Sequence, residues 1–358
     1  MLDKKDPLPI SIYDLSHEEV IALVHELGAP KFNADQIWQG LYRQYWNKAT
    51  DFSNLSKSIR NSLSENIEFA TISTAKEYHS TDHQTEKLLF VLPDSRQIES
   101  VLMGYEQRNT ICISTQSGCA MGCTFCATGQ MGYFRNLSSG EIVQQVLFFA
   151  RKLKNLEDKV TNIVFMGMGE PFHNYDEVMT AIDRLNDPSG WGFGARRMTV
   201  STVGIIPGIQ RFTEERRQVN LAVSLHAVDN DLRSSMMPVN RKYPVRELLN
   251  ACREYVDHTH RRITFEWALI QEVNDTPVIA RDLVNAIKGT LCHVNLIPLN
   301  PTRKFGKQGT QRERASEFQK VLETAGIPCT LRLRRGIDIQ AGCGQLASEE
   351  LNITGQGS

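Results

Sequence analysis

Three cysteines within eight residues set the chemical question. In the stretch from Cys112 to Cys126, CISTQSGCAMGCTFC, the thiols of Cys119, Cys123 and Cys126 follow a C-x3-C-x2-C spacing, with Phe125 just before the last. Thiolates this close in sequence can wrap one face of a compact metal centre. They cannot form a closed disulfide set, because three is odd. An iron–sulfur cubane normally takes four cysteine ligands. A local set of three implies that one iron is left open for something other than protein. A structural zinc knuckle is the alternative, but it needs a fourth ligand at suitable spacing. The next Cys or His after Cys126 is His173.

Two further cysteines stand in telling contexts. Cys112 precedes Cys119 by seven residues, and Cys343 sits in AGCGQL, where flanking glycines give a thiol able to move between partners. Cys252, Cys292 and Cys329 lie within regular helix or strand patterns, where buried inert thiols are expected. Polar groups gather at the ends of apolar runs: Gly167-Met168-Gly169-Glu170-Pro171, Ser201-Thr202, Ser224-Leu225-His226 and Asn300. Paired glycines let backbone N–H and C=O groups approach a ligand closely. Ser and Asn both donate and accept, which suits ribose hydroxyls and adenine edges. Taken singly, each reads as a turn or cap, His226 reads as a structural histidine, and Glu99 in IESVLM reads as a surface carboxylate.

The elements that must position these groups follow from periodicity. Residues 1 to about 75 read as helical: Ser16 with Glu19 makes a capping box before EVIALVHELG, Gly28 supplies a stop, and ADQIWQGLYRQYW and LSKSIRNSLSENI repeat the period. KLLFVLPDSRQIESVLMG then reads as two strands around Pro93-Asp94-Ser95. Strands are predicted at about 110–115, 161–167, 197–202, 219–225, 262–269, 292–297 and 328–334. Helices are predicted at about 139–154, 175–187, 245–258, 277–288 and 311–325. Alternation of apolar strands with helices implies a parallel sheet covered by helices. Some six units are too few for an eight-fold barrel, so the expected fold is α/β, a partial (open) β/α barrel. In such sheets ligands collect at the C-terminal strand ends. The expected division is 1–80, a helical accessory unit; 81–104, a hairpin connector carrying Glu99; 105–338, the core; and 339–358, a loop and tail carrying Cys343.

Composition sets the outer limits. The chain has 358 residues, 41% hydrophobic and 23% charged, within the range of ordinary soluble domains. No apolar run approaches the ~20 residues of a membrane span, and the N-terminus lacks a signal-peptide core. Eight cysteines, three of them clustered, point to thiol chemistry in a reducing cytoplasm. The net charge of −1 is unevenly spread: residues 191–340 hold 23 Lys and Arg against 15 Asp and Glu. Basic groups recur there as Arg216-Arg217, Arg241-Lys242, Arg261-Arg262, Arg303-Lys304 with Lys307, and Arg332 with Arg334-Arg335. A positive face can hold phosphates on a protein of neutral total charge; solvated surface charge is the plainer reading.

Together the motifs KFNADQIWQGLYRQ, IESVLM, CISTQSGCAMGCTFCATGQMG, NIVFMGMGEP, MTVSTVG, VSLHA, NLIPLNP and AGCGQL resemble one family over nearly the whole chain. It is the radical S-adenosylmethionine (SAM) RNA adenine methyltransferases, RlmN and its relative Cfr. The resemblance implies roles. Cys119, Cys123 and Cys126 would hold a [4Fe-4S] cluster whose open iron binds SAM. Gly169, Glu170, Ser201, Ser224, Leu225, His226 and Asn300 would line the SAM site. Cys343 would carry the methyl group, Cys112 would resolve the protein–RNA adduct through a transient disulfide, and Glu99 would accept the ring proton.

The implied substrate is an adenine of 23S ribosomal RNA presented unpaired, because a stacked, paired base hides its edges. A tRNA adenine beside the anticodon is the implied second substrate. An external electron donor of flavodoxin or ferredoxin type is implied, and no stable protein partner and no membrane. The N-terminal unit and CATGQMG resemble the enzymes that methylate C2 more than those that methylate C8. A radical SAM activase or dehydrogenase acting on a non-RNA substrate and a non-catalytic metal-binding RNA module remain open from other classes. The paired Cys112 and Cys343 count against the first, and the SAM-type strand ends against the second.

Overall fold

The computed structural model describes residues 10–302, 304–332 and 334–347. Arg303, counted above among the basic groups, lies outside them, as do residues 1–9 and the tail beyond 347.

Ten strands form one sheet in the order β1 to β4, β7 to β12: β1 (Ser73–His79), β2 (Thr85–Val91), β3 (Gln97–Tyr105), β4 (Arg108–Cys112), β7 (Asn162–Phe165), β8 (Met198–Thr202), β9 (Asn220–Ser224), β10 (Ile263–Leu269), β11 (Cys292–Pro298) and β12 (Cys329–Leu331). From β4 to β12 every pairing is parallel, whereas β1 to β4 pair antiparallel. The two end strands, β1 and β12, do not pair with each other, which leaves the barrel open. The parallel strands follow the predicted runs because most are apolar and buried, on alternating positions in β7, β8 and β11 and over consecutive residues in β9 and β10. Two short strands, β5 (Gln116–Gly118) and β6 (Tyr133–Asn136), make a separate ribbon.

Helices fill the crossovers: α5 (Ser139–Lys154), α6 (Tyr175–Asn186), α7 (Ile206–Glu214), α8 (Asn230–Met236), α9 (Val245–Thr259), α10 (Pro277–Ile287) and α11 (Arg312–Thr324), with the short α4 (Ala127–Met131) inside the cysteine loop. Before the sheet lie α1 (His17–Glu26), α2 (Phe32–Gln39) and α3 (Lys57–Asn66). The capping box of Ser16 and Glu19 is present. The helical stretch ends at Asn66, not near 75, and Ser73–His79 is a strand paired with β2. That edge strand is largely exposed and so lacks the apolar alternation that marks a half-buried strand.

The N-terminal helices are tied to the barrel by polar contacts. Trp38 Nε1 donates to Asp187 at 2.7 Å, Arg43 donates to the carbonyls of Pro188 and Gly190, and the Arg184 guanidinium holds the carbonyls of Tyr13 and Asp14. Val20, Val24, Ile37 and Leu41 join the same apolar core as the barrel strands.

Candidate active site

The cysteine loop is framed by its own ribbon. Strands β5 and β6 bracket residues 119–132, and the Cys119 N–H donates to Gly132 O at 2.8 Å across the neck. Cys126 caps α4, and the Thr124 N–H donates to Met236 O, the last residue of α8, at 2.9 Å. Cys119 and Cys123 are buried and Cys126 is half-buried. Burial pushes the Cys119 thiol up to about 12 and the Cys123 thiol well above its ordinary value, and the neighbouring thiols add to both.

The donor set fits a cluster better than a single ion. Three thiols share one loop and no fourth Cys or His follows them before His173, whereas a closed structural zinc site takes four protein ligands. Cys123 and Cys126 line the strand-end cavity, so the side of a cluster that protein leaves open would face space for a ligand.

Above the loop, the strand ends line a cavity open to solvent, with about 950 Å³ of empty space. Its wall includes Cys123, Cys126, Gly169, Glu170, Ser201, Ser224, His226, Asn300 and Cys343. The structure thus brings together residues from six separate motifs. Gly169 has φ +106°, and a Cβ there would sit 2.7 Å from the Gln116 side chain, so only glycine fits. Glu170 is 1% exposed. Its two carboxylate oxygens accept from the N–H groups of Phe172 (2.9 Å) and Val203 (2.8 Å). Burial nevertheless raises its pKa to about 7, against the lowering effect of those hydrogen bonds.

His226 Nδ1 accepts from the Ala268 N–H at 2.9 Å, which leaves the proton on Nε2. Burial, aided by Arg233, lowers its pKa to about 3, so the ring is neutral. Phe125 meets it edge to face at 5.1 Å. Asn300 Nδ2 donates to Cys343 O at 3.2 Å, while its Oδ1 is buried without a partner. Such an orphan acceptor suits a ligand hydroxyl or amino group.

A second cavity of about 800 Å³ shares Cys343, Asn300 and Glu266 with the first. Cys112 and the three arginines Arg332, Arg334 and Arg335 line it. Cys343 therefore stands at the border between the strand-end cavity and the one that holds Cys112. Its residue surface is exposed, and it faces these cavities. Burial among the surrounding groups, helped by Glu266, pushes its thiol up to about 12. Cys112 is likewise pushed up to about 12, first by burial and then by Cys343.

The loop carrying Cys343 is fastened at several points. Gly344 O accepts from the Ala127 N–H at 2.7 Å, Leu346 O from Thr128 Oγ1 at 2.6 Å, and Pro301 O from Gln345 Nε2 at 2.9 Å. A Cβ on Gly342 would lie 2.5 Å from Asn300 Nδ2.

Two expected site residues stand apart. Leu225 is fully buried in the core and is absent from both cavity walls. Its carbonyl accepts from Arg233 Nε, so any part it plays is through the backbone. Glu99 is also absent from both walls and is 1% exposed. Its Oε1 pairs with Lys87 Nζ at 2.9 Å and its Oε2 accepts from the Ala347 N–H at 2.8 Å. The C-terminal segment thus lies against Glu99.

Conversely, Glu266 lines both cavities and was not anticipated. Parallel register sets it abreast of Ser224 and Asn295, and Asn295 Nδ2 donates to its Oε1 at 2.9 Å. A carboxylate inside the apolar run ITFEWAL was its only sequence signal.

Comparison with known proteins adds the following. Residues 113–281 match the model of the radical SAM superfamily, and residues 10–69 that of the ribosomal RNA large subunit methyltransferase N-terminal domain. The dual-specificity RNA methyltransferase RlmN 1 of Myxococcus xanthus is 45% identical over 336 residues, covering 94% of each chain. The ribosomal RNA large subunit methyltransferase N of Nitrosopumilus maritimus is 43% identical over 348 residues, covering 94% of this chain and 98% of its own. The crystal structure of a radical SAM methyltransferase from Sphaerobacter thermophilus matches with a TM-score of 0.92 at 46% identity, over 94% of this chain and 99% of that one.

Proposed function

This chain belongs to the RlmN family of radical SAM methyltransferases, and from that premise we propose that it methylates C2 of an adenine in 23S ribosomal RNA, and of a tRNA adenine beside the anticodon. The work is done in the cytoplasm, with electrons from a flavodoxin-like or ferredoxin-like donor. The family's cofactors, a [4Fe-4S] cluster and SAM, supply when bound a methyl group for displacement and a one-electron route to a carbon radical.

The chain's own residues divide the labour as follows. Cys119, Cys123 and Cys126 hold the cluster. Gly169 admits the ligand backbone-close, Glu170 accepts from its ammonium, and Ser201, Ser224, neutral His226 and Asn300 Oδ1 orient ribose and adenine. Leu225 contributes through its main chain.

Adenine C2 is electron-poor and cannot attack a sulfonium methyl. Cys343 Sγ does so in its place, forming a carbon–sulfur bond as it gives up its proton. Once a hydrogen atom is taken from that S-methyl group, its carbon adds to the ring. The adduct becomes a closed-shell thioether by giving one electron back to the one-electron route and its ring proton to Glu99, after Ala347 has lifted from Oε2. Cys112, as thiolate, attacks Cys343 Sγ and the carbon–sulfur bond breaks. The released CH2 carbon takes up a proton to become the methyl group, and the disulfide left behind must be reduced before the next turnover. Arg332 favours the Cys112 thiolate, and Arg332, Arg334 and Arg335 together offer positive charge to the RNA phosphates.

The observation that carries this reading is the place of Cys343 on the border of two cavities, one walled by the SAM-type strand ends and one by Cys112. Mass spectrometry of nucleosides from anaerobically reconstituted reactions should find 2-methyladenosine. Cys343→Ala should give none. Cys112→Ala should accumulate a protein–RNA thioether at Cys343 that resists reducing agents. A Cys112→Ala protein that turns over normally would sink the two-cysteine scheme, and 8-methyladenosine would overturn the position.

A further inference from the structure

Helix α8 carries an arginine that solvent does not reach. Arg233 is fully buried, and its guanidinium is held entirely by neutral acceptors. Nε donates to Leu225 O at 2.9 Å, Nη2 to Val203 O at 2.7 Å and Ser224 O at 3.1 Å, and Nη1 to Asn240 Oδ1 at 2.9 Å. No carboxylate among the described residues forms an ion pair with it. Four good hydrogen bonds satisfy the donors but do not cancel the charge, and a buried cation without a counter-charge is costly to a fold.

The surroundings identify the missing charge. The carbonyls that Arg233 holds belong to the ends of β8 and β9, which present Ser201 and Ser224 to the strand-end cavity. The last residue of the same helix, Met236, accepts the Thr124 N–H, one residue past Cys123. Cys123 packs with Met236 and Met237 in one small apolar cluster. Three thiolates around a doubly positive [4Fe-4S] core leave one net negative charge, and taking up one electron adds a second.

We propose that Arg233 is the buried counter-charge of the iron–sulfur cluster, offsetting the negative charge gained on reduction and so raising the cluster's reduction potential. The inference rests on the cluster assignment to Cys119, Cys123 and Cys126 made above. Arg233 is a positioning residue: it lines neither cavity. The electron comes from the external one-electron donor, and no proton moves at Arg233.

The test is a redox titration of the reconstituted full-length enzyme, followed by electron paramagnetic resonance, with iron and sulfide counted for each variant. Asn240→Asp sets a carboxylate at the 2.9 Å acceptor position and so neutralises Arg233 without removing it. Asn240→Leu is the uncharged control of similar size. Arg233→Gln removes the charge, and Arg233→Lys keeps the charge while losing the carbonyl clamp.

The reduced-to-oxidised ratio at a fixed potential should fall about tenfold in Asn240→Asp and Arg233→Gln, equivalent to 59 mV for a one-electron couple. It should change by less than twofold in Asn240→Leu and Arg233→Lys. An Asn240→Asp protein that takes up no iron where Asn240→Leu does would also count for the proposal, since the pair differs in charge. An unshifted potential in iron-replete Asn240→Asp, or equal shifts in Arg233→Lys and Arg233→Gln, would overturn it. Failure of the underlying assignment looks different: Cys123→Ala would then keep its full iron content, whatever the arginine does.

Discussion

On one wall of the connected cavities, Gly169, Glu170, Ser201, Ser224 and His226 stand at strand ends whose register is set by a ten-stranded sheet over a continuous apolar core. On the other, Cys343 rides on a segment held by single hydrogen bonds from Thr128 Oγ1, Asn300 Nδ2 and the Ala127 N–H, by its own Gln345 Nε2 on Pro301 O and by its own Ala347 N–H on the Glu99 carboxylate. Among its described residues, Ala341 and Leu346 are buried in the core and Ile339 packs against it. A core residue resists removal by several kcal/mol, whereas a single hydrogen bond contributes about 1 kcal/mol net. The first wall is built to hold a ligand in one pose. The second is held mainly by single hydrogen bonds, which suits the role proposed for Cys343, a sulfur serving the SAM cavity, the base and Cys112 in turn.

The sharpest way to break the comparison is at the base of the first wall. Replacing Cys119, Cys123 or Cys126 by Ala should abolish the visible absorption of the cluster and all deoxyadenosine formation, with the fold retained by circular dichroism. A single replacement that kept full iron content and SAM cleavage would remove the ligand assignment.

Much of the first wall was legible because its signals are local. Apolar β-branched runs such as NIVF and NLAVS end in Gly-Met-Gly-Glu or Ser-Leu-His, and strand ends are where an α/β sheet keeps its chemistry. The residues that escaped do so for physical reasons. Strand β1 is exposed along most of its length, and α7 and α8 have only nine and seven residues, with Pro207 in the first turn of α7. Such segments carry too little periodic burial to register. Glu266 and Arg233 read as ordinary charges, because nothing in a one-dimensional pattern says that a charge is enclosed. Leu225 sat inside a polar motif, yet its side chain turns into the core, a matter of strand alternation.

The next largest effect belongs to the second cavity. Arg335 stacks over Tyr105 at 4.3 Å and donates to Gly104 O at 3.0 Å, while Arg334 and Arg332 share its wall. Reversing Arg334 and Arg335 to Glu should weaken RNA binding on the order of a hundredfold, at about 1.5 kcal/mol for each lost charged contact. It should also flatten the dependence of RNA affinity on salt, with SAM binding little changed. Filter binding across a salt series reads both. Equal loss of RNA and SAM affinity would mean that these arginines are structural supports.

A smaller effect should appear on the first wall as pH changes. The Glu170 pKa is raised to about 7 by burial, so the carboxylate proposed to receive the SAM ammonium is mostly ionised only above that value. Affinity for SAM should therefore increase as pH rises through 7 and level off beyond it. Between pH 8 and pH 6 the ionised fraction drops from about nine-tenths to about one-tenth, and affinity should fall about tenfold. Equilibrium dialysis checks this, and Glu170→Gln should bind weakly and without that pH dependence. A Glu170→Gln protein that retains the pH profile would assign the titration to another group.

The smallest expected effect tests the fastening of the second wall. Thr128 Oγ1 donates to Leu346 O at 2.6 Å, and Thr128 is 3% exposed, so the bond is shielded from water. Thr128→Val keeps the shape and deletes the donor, leaving the Leu346 carbonyl unpaired whenever the segment is seated. At about 1 kcal/mol the released fraction should rise roughly fivefold. The Cys343 thiol should then react roughly fivefold faster with iodoacetamide in SAM-free protein, followed by peptide mass spectrometry. Cys252, fully buried in α9, serves as the internal reference and should not change. Thr128 also lines the strand-end cavity, so SAM affinity is measured alongside and should stay near that of the parent, because the only group lost is a hydroxyl already engaged by Leu346 O. Faster alkylation of Cys343 and Cys252 together would signal global loosening. An unchanged Cys343 rate would show that the segment is held elsewhere, with Glu99 and Lys87 the next contacts to cut.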